Sequence, residues 1–361
     1  MPSLHVGLVF GGQSAEHEVS VQSARNVRAA LGDRYRVTLL YIGRDGRWTV
    51  PADLADAALA DATGDPENDR PPGTSVTFRP GAGPAAVSTD GGPLGLDVVF
   101  PVLHGQNGED GVVQGFLQTL GLPYVGPGVL ASAACMDKVA AKRLLSAAGI
   151  ANTDYAVLAA HDRGALAFAE VEDRLGLPVF VKPANSGSSV GISRVETEAE
   201  YAEALDLAFR YDRLVLVERG VTGREVEVAV LGNERPEASV PGEIVMTSAF
   251  YDYDSKYESP DASRMEVPAD LPDATAERVR GLAVEAYAAL GCEGMARVDF
   301  FVTDGGDVLV NEVNTIPGFT ARSMYPVMWA ETGRPAEHLV DDLVSLALER
   351  HRRDAARSTS R

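Results

Sequence analysis

The segment Arg297 to Gly318, RVDFFVTDGGDVLVNEVNTIPG, holds residues whose types and spacing could do chemistry. It reads as two β-strands joined by Asp-Gly-Gly-Asp, a strong hairpin signal because glycine supplies the positive φ angles of a two-residue turn. With Gly305 and Gly306 as that turn, Asp299 falls opposite Glu312 and Arg297 opposite Asn314. Side chains alternate along a strand, so all four project from one face. The other face then carries Val298, Phe300, Val302, Leu309 and Val313, with Asn311 as its polar exception. Facing carboxylates repel and weaken a ladder unless a cation lies between them. A hard divalent ion held by oxygen ligands and shared with a substrate's phosphates meets that need. A solvated polar face is the ordinary alternative. The Gly/Pro-rich exit Asn314-Thr315-Ile316-Pro317-Gly318 is more like a site loop than a plain turn, and it favours the metal.

Lysine is the second chemical signal. Of 32 basic residues only Lys138, Lys142, Lys182 and Lys256 are lysine. In a chain that writes its positive charge as arginine, a retained lysine marks a need for a compact ammonium rather than a planar fork, with chance as the alternative. Lys138 and Lys142 are four apart on an expected helix over 132–148, closed by Gly149, and so share a face. Lys182 ends the strand 178–183, and Asn185-Ser186-Gly187-Ser188-Ser189-Val190-Gly191 follows before the chain resumes as strand at 192–195. Such a Ser/Gly loop can fold over phosphates with its N–H and hydroxyl groups. No Gly-Lys-Ser/Thr occurs, so a Walker A loop is excluded. The fragment Gly126-Pro127-Gly128 is a weak dinucleotide hint, and a NAD-binding enzyme is a remote reading.

These residues need elements to position them. Residues 4–12 read as a buried strand ending in Gly-Gly, and a helix then runs to Leu31 and stops at Gly32. Strand, glycine turn and helix N-terminus is how α/β domains present N–H groups to ligands, although Glu16 and Glu18 also simply suit the helix dipole. Strands follow at 36–42 and 96–102, the second running into His104-Gly105-Gln106-Asn107-Gly108-Glu109-Asp110-Gly111. Between them, 45–95 reads as a loop-rich insertion with an alanine-rich helix near 52–62 and a hairpin around Thr74–Phe78. Further strands are expected at 214–219, 225–230 and 241–245, and helices at 197–211, 274–290 and 336–351. The aromatic, charged stretch 247–267 has no period and reads as a lid.

Composition narrows the class. The chain has 361 residues, 45% hydrophobic and 23% charged, as in an ordinary globular protein of two or three domains. Net charge is −20, and the pI is about 4.7. Nucleic acid and anionic membrane are therefore poor partners. No signal peptide or 18-residue apolar run is present, and Cys135 and Cys292 read as buried free thiols, so a cytoplasmic location is expected.

In order along the chain, LVFGGQSAEHEVS, VLHGQNGEDG, MDK, FVKPANSGSSVG, YDYDSKY, MARVDFF and NEVNTIPGFT resemble the motifs of D-alanine–D-alanine ligases of the ATP-grasp superfamily, over about residues 4–350. The resemblance implies an α/β ATP-grasp fold: an N-terminal Rossmann-like domain (1–126), a central small subdomain (127–218) and a C-terminal subdomain (219–361). It implies ATP and Mg²⁺ or Mn²⁺, two ions, as cofactors, D-alanine as substrate and a homodimer. It places Lys138, Lys182, Ser188, Ser189, Glu218, Arg219, Val221, Glu225 and Lys256 around the nucleotide, and Asp299, Glu312 and Asn314 on the metal. Glu16, His104, Arg297, Gly318, Ser323 and Met324 would hold the substrates, with Ser188 and Tyr257 completing the catalytic set. A D-lactate or D-serine acceptor, or a non-catalytic ATP-binding protein, are the alternatives. The tyrosine-bearing loop favours an amine acceptor. Departures from the family's pattern are Ala151 in place of a common proline, Arg322 before Ser323, and the long 45–95 region.

Overall fold

The computed structural model describes residues 3–54, 73–246 and 263–357. The expected helix near 52–62 and most of the 247–267 stretch, with Lys256 and Tyr257, lie outside the described residues.

The N-terminal sheet has the order β4-β3-β2-β1-β8, built from β1 (His5–Gly11), β2 (Arg36–Ile42), β3 (Trp48–Pro51), β4 (Gly73–Ser75) and β8 (Val98–Pro101). β1 is parallel to both β2 and β8, and helix α1 (His17–Leu31) makes the crossover that a parallel pair requires. Because β2 lies on one side of β1 and β8 on the other, the loops leaving β1 and β8 diverge at their carboxyl ends. That is the topological switch point where α/β sheets bind ligands. Glu16 and the His104–Glu109 loop are both delivered there.

The expected hairpin at Thr74–Phe78 is corrected. β4 pairs with β3, whereas β5 (Thr77–Phe78) joins β6 (Val87–Thr89) and β7 (Gly92–Pro93) in a small separate sheet. Packing decides it, because Phe78 turns to Trp48 and Phe116, with ring centroids 5.2 and 4.8 Å away. After α2 (Val112–Leu120), the single helix expected over 132–148 is two, α3 (Val129–Met136) and α4 (Lys138–Ala147). Asp137 makes the break: its backbone is extended, and its carboxylate accepts from Val139 N at 3.0 Å and Ala140 N at 2.9 Å as an N-cap. Lys138 thereby becomes the first residue of a helix.

A four-stranded antiparallel sheet follows in the order β11-β10-β12-β9, from β9 (Tyr155–Ala159), β10 (Val179–Pro183), β11 (Ser193–Val195) and β12 (Leu214–Arg219). Helices α5 (Phe168–Leu175) and α6 (Glu198–Ala208) cover its apolar face. The last sheet runs β16-β15-β13-β17-β18, with β13 (Arg224–Gly232), β15 (Gly242–Met246), β16 (Ser263–Glu266), β17 (Gly294–Val302) and β18 (Val308–Asn314); β14 (Glu237–Ala238) pairs with β13 alone. Helix α7 (Asp273–Ala289) backs it through Val279, Ala283 and Tyr287. Helices α8 (Met324–Glu331), which the sequence reading did not anticipate, and α9 (Ala336–Ala355) carry Tyr325, Trp329 and Val340 into one core with Phe10 and Phe100 of the N-terminal sheet. That shared core fixes the first and last sheets against each other.

The β17–β18 hairpin keeps the expected pairs by an unexpected route. Thr303 N donates to Asp307 O and Gly306 N to Thr303 O, so the loop has three residues, with Gly306 at φ 85°. This is the turn-plus-bulge form rather than the two-residue turn. It shifts the register by one residue near the turn: Val302 faces Val308 and Phe300 faces Val310. A β-bulge at Asn311 then shifts it back, restoring Asp299↔Glu312 and Arg297↔Asn314. The core face is therefore Val298, Phe300, Val302, Val308, Val310 and Val313, not Leu309 and Asn311.

Candidate active site

Antiparallel pairing of β13 with β17 places Glu227 opposite Asp299, so Glu227, Asp299 and Glu312 form one row across three adjacent strands. Three carboxylates so close need positive charge, and Arg297 supplies it. Its Nε lies 2.7 Å from Asp299 Oδ1 and 3.0 Å from Glu227 Oε2, and its Nη2 is 2.7 Å from Asp299 Oδ2. Burial alone would weaken the guanidinium, but Asp299 and Glu227 outweigh it and hold Arg297 well above its ordinary value. Asn314 Nδ2 donates to Asp299 Oδ2 at 3.0 Å. Lys138 Nζ comes to 3.8 Å from Glu312 Oε2.

The row borders a cleft of about 790 Å³, lined by residues from loops of the three larger sheets. Glu16, His104, Lys138, Ser188, Arg297, Glu312, Asn314, Gly318, Ser323 and Met324 all reach its wall. A Cβ on Gly105 or Gly187 would stand 2.9 or 3.2 Å from Glu16 Oε2, so the absence of side chains at these two glycines makes room for that carboxylate. Lys138 Nζ donates to Ser186 O at 2.6 Å, and Ser186 Oγ donates to Val190 O at 2.7 Å. Within this loop Ser188 and Ser189 have φ of 50° and 60°, a left-handed backbone that costs an L residue roughly 1–2 kcal/mol. Strain of this kind gathers where a loop must present its N–H groups to a ligand.

His104 uses both ring nitrogens within the protein, Nδ1 with Ile316 O at 2.9 Å and Nε2 with Ser23 Oγ at 3.4 Å. Burial lowers its pKa, which keeps the ring neutral. What it offers a substrate is therefore a fixed wall, and it ties the site loop to the N-terminal sheet. Ser323 Oγ accepts from Thr320 N at 2.9 Å, and a Cβ on Gly318 would meet it at 2.8 Å.

Two site residues escaped the sequence reading. Glu227 could have been found from its clean alternation in EVEV, had the pairing of that strand with Asp299's been known. Glu109 stood in the HGQNGEDG motif without a stated role. Its Oε1 accepts from Gly105 N at 2.9 Å and its Oε2 from Ile316 N at 3.4 Å, bridging loops of the first and last sheets. Burial, with Glu16 second, pushes its pKa to about 8.

Lys182 of β10 and Glu218 of β12 meet elsewhere; Arg219 ends β12, Val221 follows it, and Glu225 lies at the start of β13. Glu218 is buried and pairs with Lys182 and, at 2.5 Å, with Lys142. Arg219 reaches Asp154 at 3.4 Å at the surface. Asp299 lies behind Arg297 rather than on the cleft wall. Cys135 and Cys292 are free and buried, with Sγ atoms 3.7 Å apart. No helix among the described residues is long and apolar enough to cross a membrane.

The chemistry of the donor set bears on whether a divalent ion could sit here. Among the described residues no three His, Cys, Asp or Glu side chains form a cage. The Arg297 fork and Asn314 meet Asp299 at three of its roughly four lone-pair directions. An ion here would thus take single oxygens from Asp299, Glu312 and the Asn314 amide and complete its shell with phosphate and water, which is how Mg²⁺ is commonly held. The residues fit.

Comparison with known proteins places the whole chain in a family. Residues 5–127 match the family model described as D-ala D-ala ligase N-terminus, and residues 144–345 the one described as D-ala D-ala ligase C-terminus. The D-alanine–D-alanine ligase A of Chromobacterium violaceum is 50% identical over 366 residues, covering 100% of this chain and 99% of its own. That of Escherichia coli is 50% identical over 367 residues, covering 100% of both. Among solved structures, the D-alanine–D-alanine ligase from Coxiella burnetii superposes with a TM-score of 0.86 at 38% identity, over 98% of this chain and 97% of that one. The VanG D-Ala:D-Ser ligase from Enterococcus faecalis gives 0.84 at 36% identity, over 96% and 99%. With both family models matched and half of all residues shared along the full length, the chain belongs to the D-alanine–D-alanine ligase family and has its ATP-grasp fold.

Proposed function

We propose that the cleft joins two D-alanine molecules into D-alanyl-D-alanine at the expense of ATP, in the cytoplasm and for cell-wall precursor synthesis. The observation that carries this reading is the carboxylate row beside Arg297, set in one cleft with Glu16, Lys138 and the Ser186–Gly191 loop. The three units 1–126, 127–218 and 219–361 close around it.

A carboxylate does not acylate an amine at useful rates, so it must first gain a leaving group. A carboxylate oxygen of the first D-alanine attacks the γ-phosphorus of ATP, the bond to ADP breaks, and an acyl phosphate results. The amine of the second D-alanine attacks the acyl carbon and phosphate departs. Glu16 takes the first ammonium, while Lys138, Lys182, Ser188 and Ser189 grip the phosphates. Glu218, Arg219, Val221 and Glu225 seat the base and ribose. Asp299, Glu312 and Asn314 would hold two Mg²⁺ or Mn²⁺ ions, which would supply positive charge to neutralise the phosphates. Arg297 and the Gly318 N–H stabilise the developing oxyanion as preorganised donors. Ser323 and the Met324 N–H hold the second carboxylate. By the resemblance, the 247–267 stretch with Tyr257 would be a lid that excludes water, and Lys256 would serve the nucleotide. A homodimer is the expected assembly.

The test is phosphate release from Mg-ATP with D-alanine, with L-alanine, and with D-alanine plus excess D-lactate, the products being identified by mass. Phosphate with D-alanine alone, together with the dipeptide, is the expected result. A depsipeptide would move the reading to another acceptor, and silence under all conditions would leave only a nucleotide-binding scaffold.

A further inference from the structure

Helix α4 carries two lysines one turn apart, and the reading above uses only Lys138. Lys142 is the more deeply buried, its side chain 3% exposed. Its Nζ lies 2.5 Å from Glu218 Oε1, 3.3 Å from Thr153 O as a donor, and 5.4 Å from the centre of the Tyr155 ring. The other oxygen of Glu218 is held by Lys182, so each oxygen of this buried carboxylate has a lysine of its own.

The two lysines differ in what they can do next. Lys182 ends strand β10 just before the Ser186–Gly191 loop, and its side chain is 13% exposed. Phosphates entering under that loop draw Lys182 away from Glu218. Lys142 cannot follow, because its stem is enclosed and Thr153 O anchors its ammonium. A carboxylate buried without any cation is strongly disfavoured. Burial pushes the Glu218 acid upward, and Lys182 and Lys142 together overturn that and hold it at about 2. Once Lys182 turns to phosphate, Lys142 alone maintains the carboxylate.

An ionised carboxylate accepts hydrogen bonds and donates none. The 6-amino group of adenine is a donor, whereas the 6-oxo group of hypoxanthine or guanine is an acceptor. Resting on the placement of Glu218 at the base, we propose that Lys142 is a positioning residue for base selectivity: it keeps Glu218 anionic and aimed after Lys182 has moved, so that the site takes 6-aminopurine and rejects 6-oxopurine triphosphates.

The experiment compares kcat/KM for ATP and inosine triphosphate, which differ at the 6-substituent and the N1 proton that accompanies the 6-oxo form, using phosphate release with D-alanine. The enzymes are the wild type, Lys142→Met, Lys142→Gln and Glu218→Gln, each checked for folding by thermal melting. Lys142→Met should lower the ATP value by roughly 100-fold, mostly through KM, as expected when one partner of a buried pair is removed. The inosine triphosphate value should fall by less than about tenfold, since no donor bond is lost there. The ATP preference thus narrows by at least about tenfold. Lys142→Gln fills the same space without the charge and should narrow it likewise. An unchanged ratio in either folded Lys142 variant would overturn the proposal. If Glu218→Gln collapses the preference while the Lys142 variants do not, Glu218 remains the base ligand and only the role of Lys142 fails. If Glu218→Gln also leaves the preference intact, the placement of Glu218 at the base is itself wrong.

Discussion

On the last sheet, among the described residues, the Arg297 guanidinium is shared by Glu227 and Asp299, and Lys138 approaches the neighbouring Glu312. Beside the four-stranded sheet the imbalance is reversed, and Lys142 and Lys182 stand around a single carboxylate, Glu218. Buried charge of either sign is stable only when it is paired, so each cluster depends on its partners. The acidic cluster is complementary to cations and the basic one to phosphates. On the proposed function the difference divides the work: one region would gather the metal and oxyanion chemistry, the other would receive the nucleotide.

The harshest test of the contrast is Arg297→Met. It removes the cation shared by Asp299 and Glu227, both buried. Breaking such a pair costs about 3–5 kcal/mol, and losing an oxyanion donor a further ~10²–10³-fold in turnover. Denaturant melts and phosphate-release rates should both collapse; a folded, active variant would remove Arg297 from the mechanism.

Glu312→Gln separates chemistry from stability. Its side chain is 36% exposed, so melting should hold within a few degrees while turnover falls roughly 10²-fold or more. Near-normal activity would sink the metal assignment.

Glu109 makes the acidic region sensitive to pH. The folded protein holds its proton to about pH 8, whereas the unfolded chain releases it near 4.5. Between those values the folded state binds more protons, so this group's stabilising share is full below about 4.5 and is lost as pH rises towards 8. Glu109→Gln should flatten the urea midpoint across pH 5–8 relative to wild type, by at most about 1.4 kcal/mol per pH unit. Parallel curves for the two proteins would remove Glu109 as the source.

The smallest effect belongs to the basic region. Asp137→Ala deletes the N-cap of the helix that carries Lys138 and Lys142, and should cost about 1 kcal/mol with a modest rise in KM for ATP. A rise in KM for D-alanine instead would place that helix on the wrong substrate.

The two regions also differ in how far they could be read from the sequence. Alternation along Arg297–Asn314 was enough to put Arg297, Asp299, Glu312 and Asn314 together, because a strand's period depends only on local backbone geometry. Even there the turn was misjudged by one residue, and the pairs survived because the Asn311 bulge cancels the three-residue loop. A trace of that bulge was present: buried valines fall at 308 and 310 and then at 313, breaking the period of two. The split at Asp137 was likewise local, and an Asp before Lys-Val-Ala-Ala is a capping signal that the helical run concealed.

The long motifs determined the family, and strand alternation determined which side chains share the hairpin's face. Only the tertiary structure decided that Glu227 completes the acidic row, that Glu109 bridges Gly105 and Ile316, and that Lys142 faces Glu218 rather than sharing the surroundings of Lys138. These contacts join residues far apart in the chain: 72 positions separate Glu227 from Asp299, 207 separate Glu109 from Ile316, and 76 separate Lys142 from Glu218. Periodicity carries information over a turn or a strand; which strands become neighbours, and which buried charge meets which, is settled by how sheets share a core.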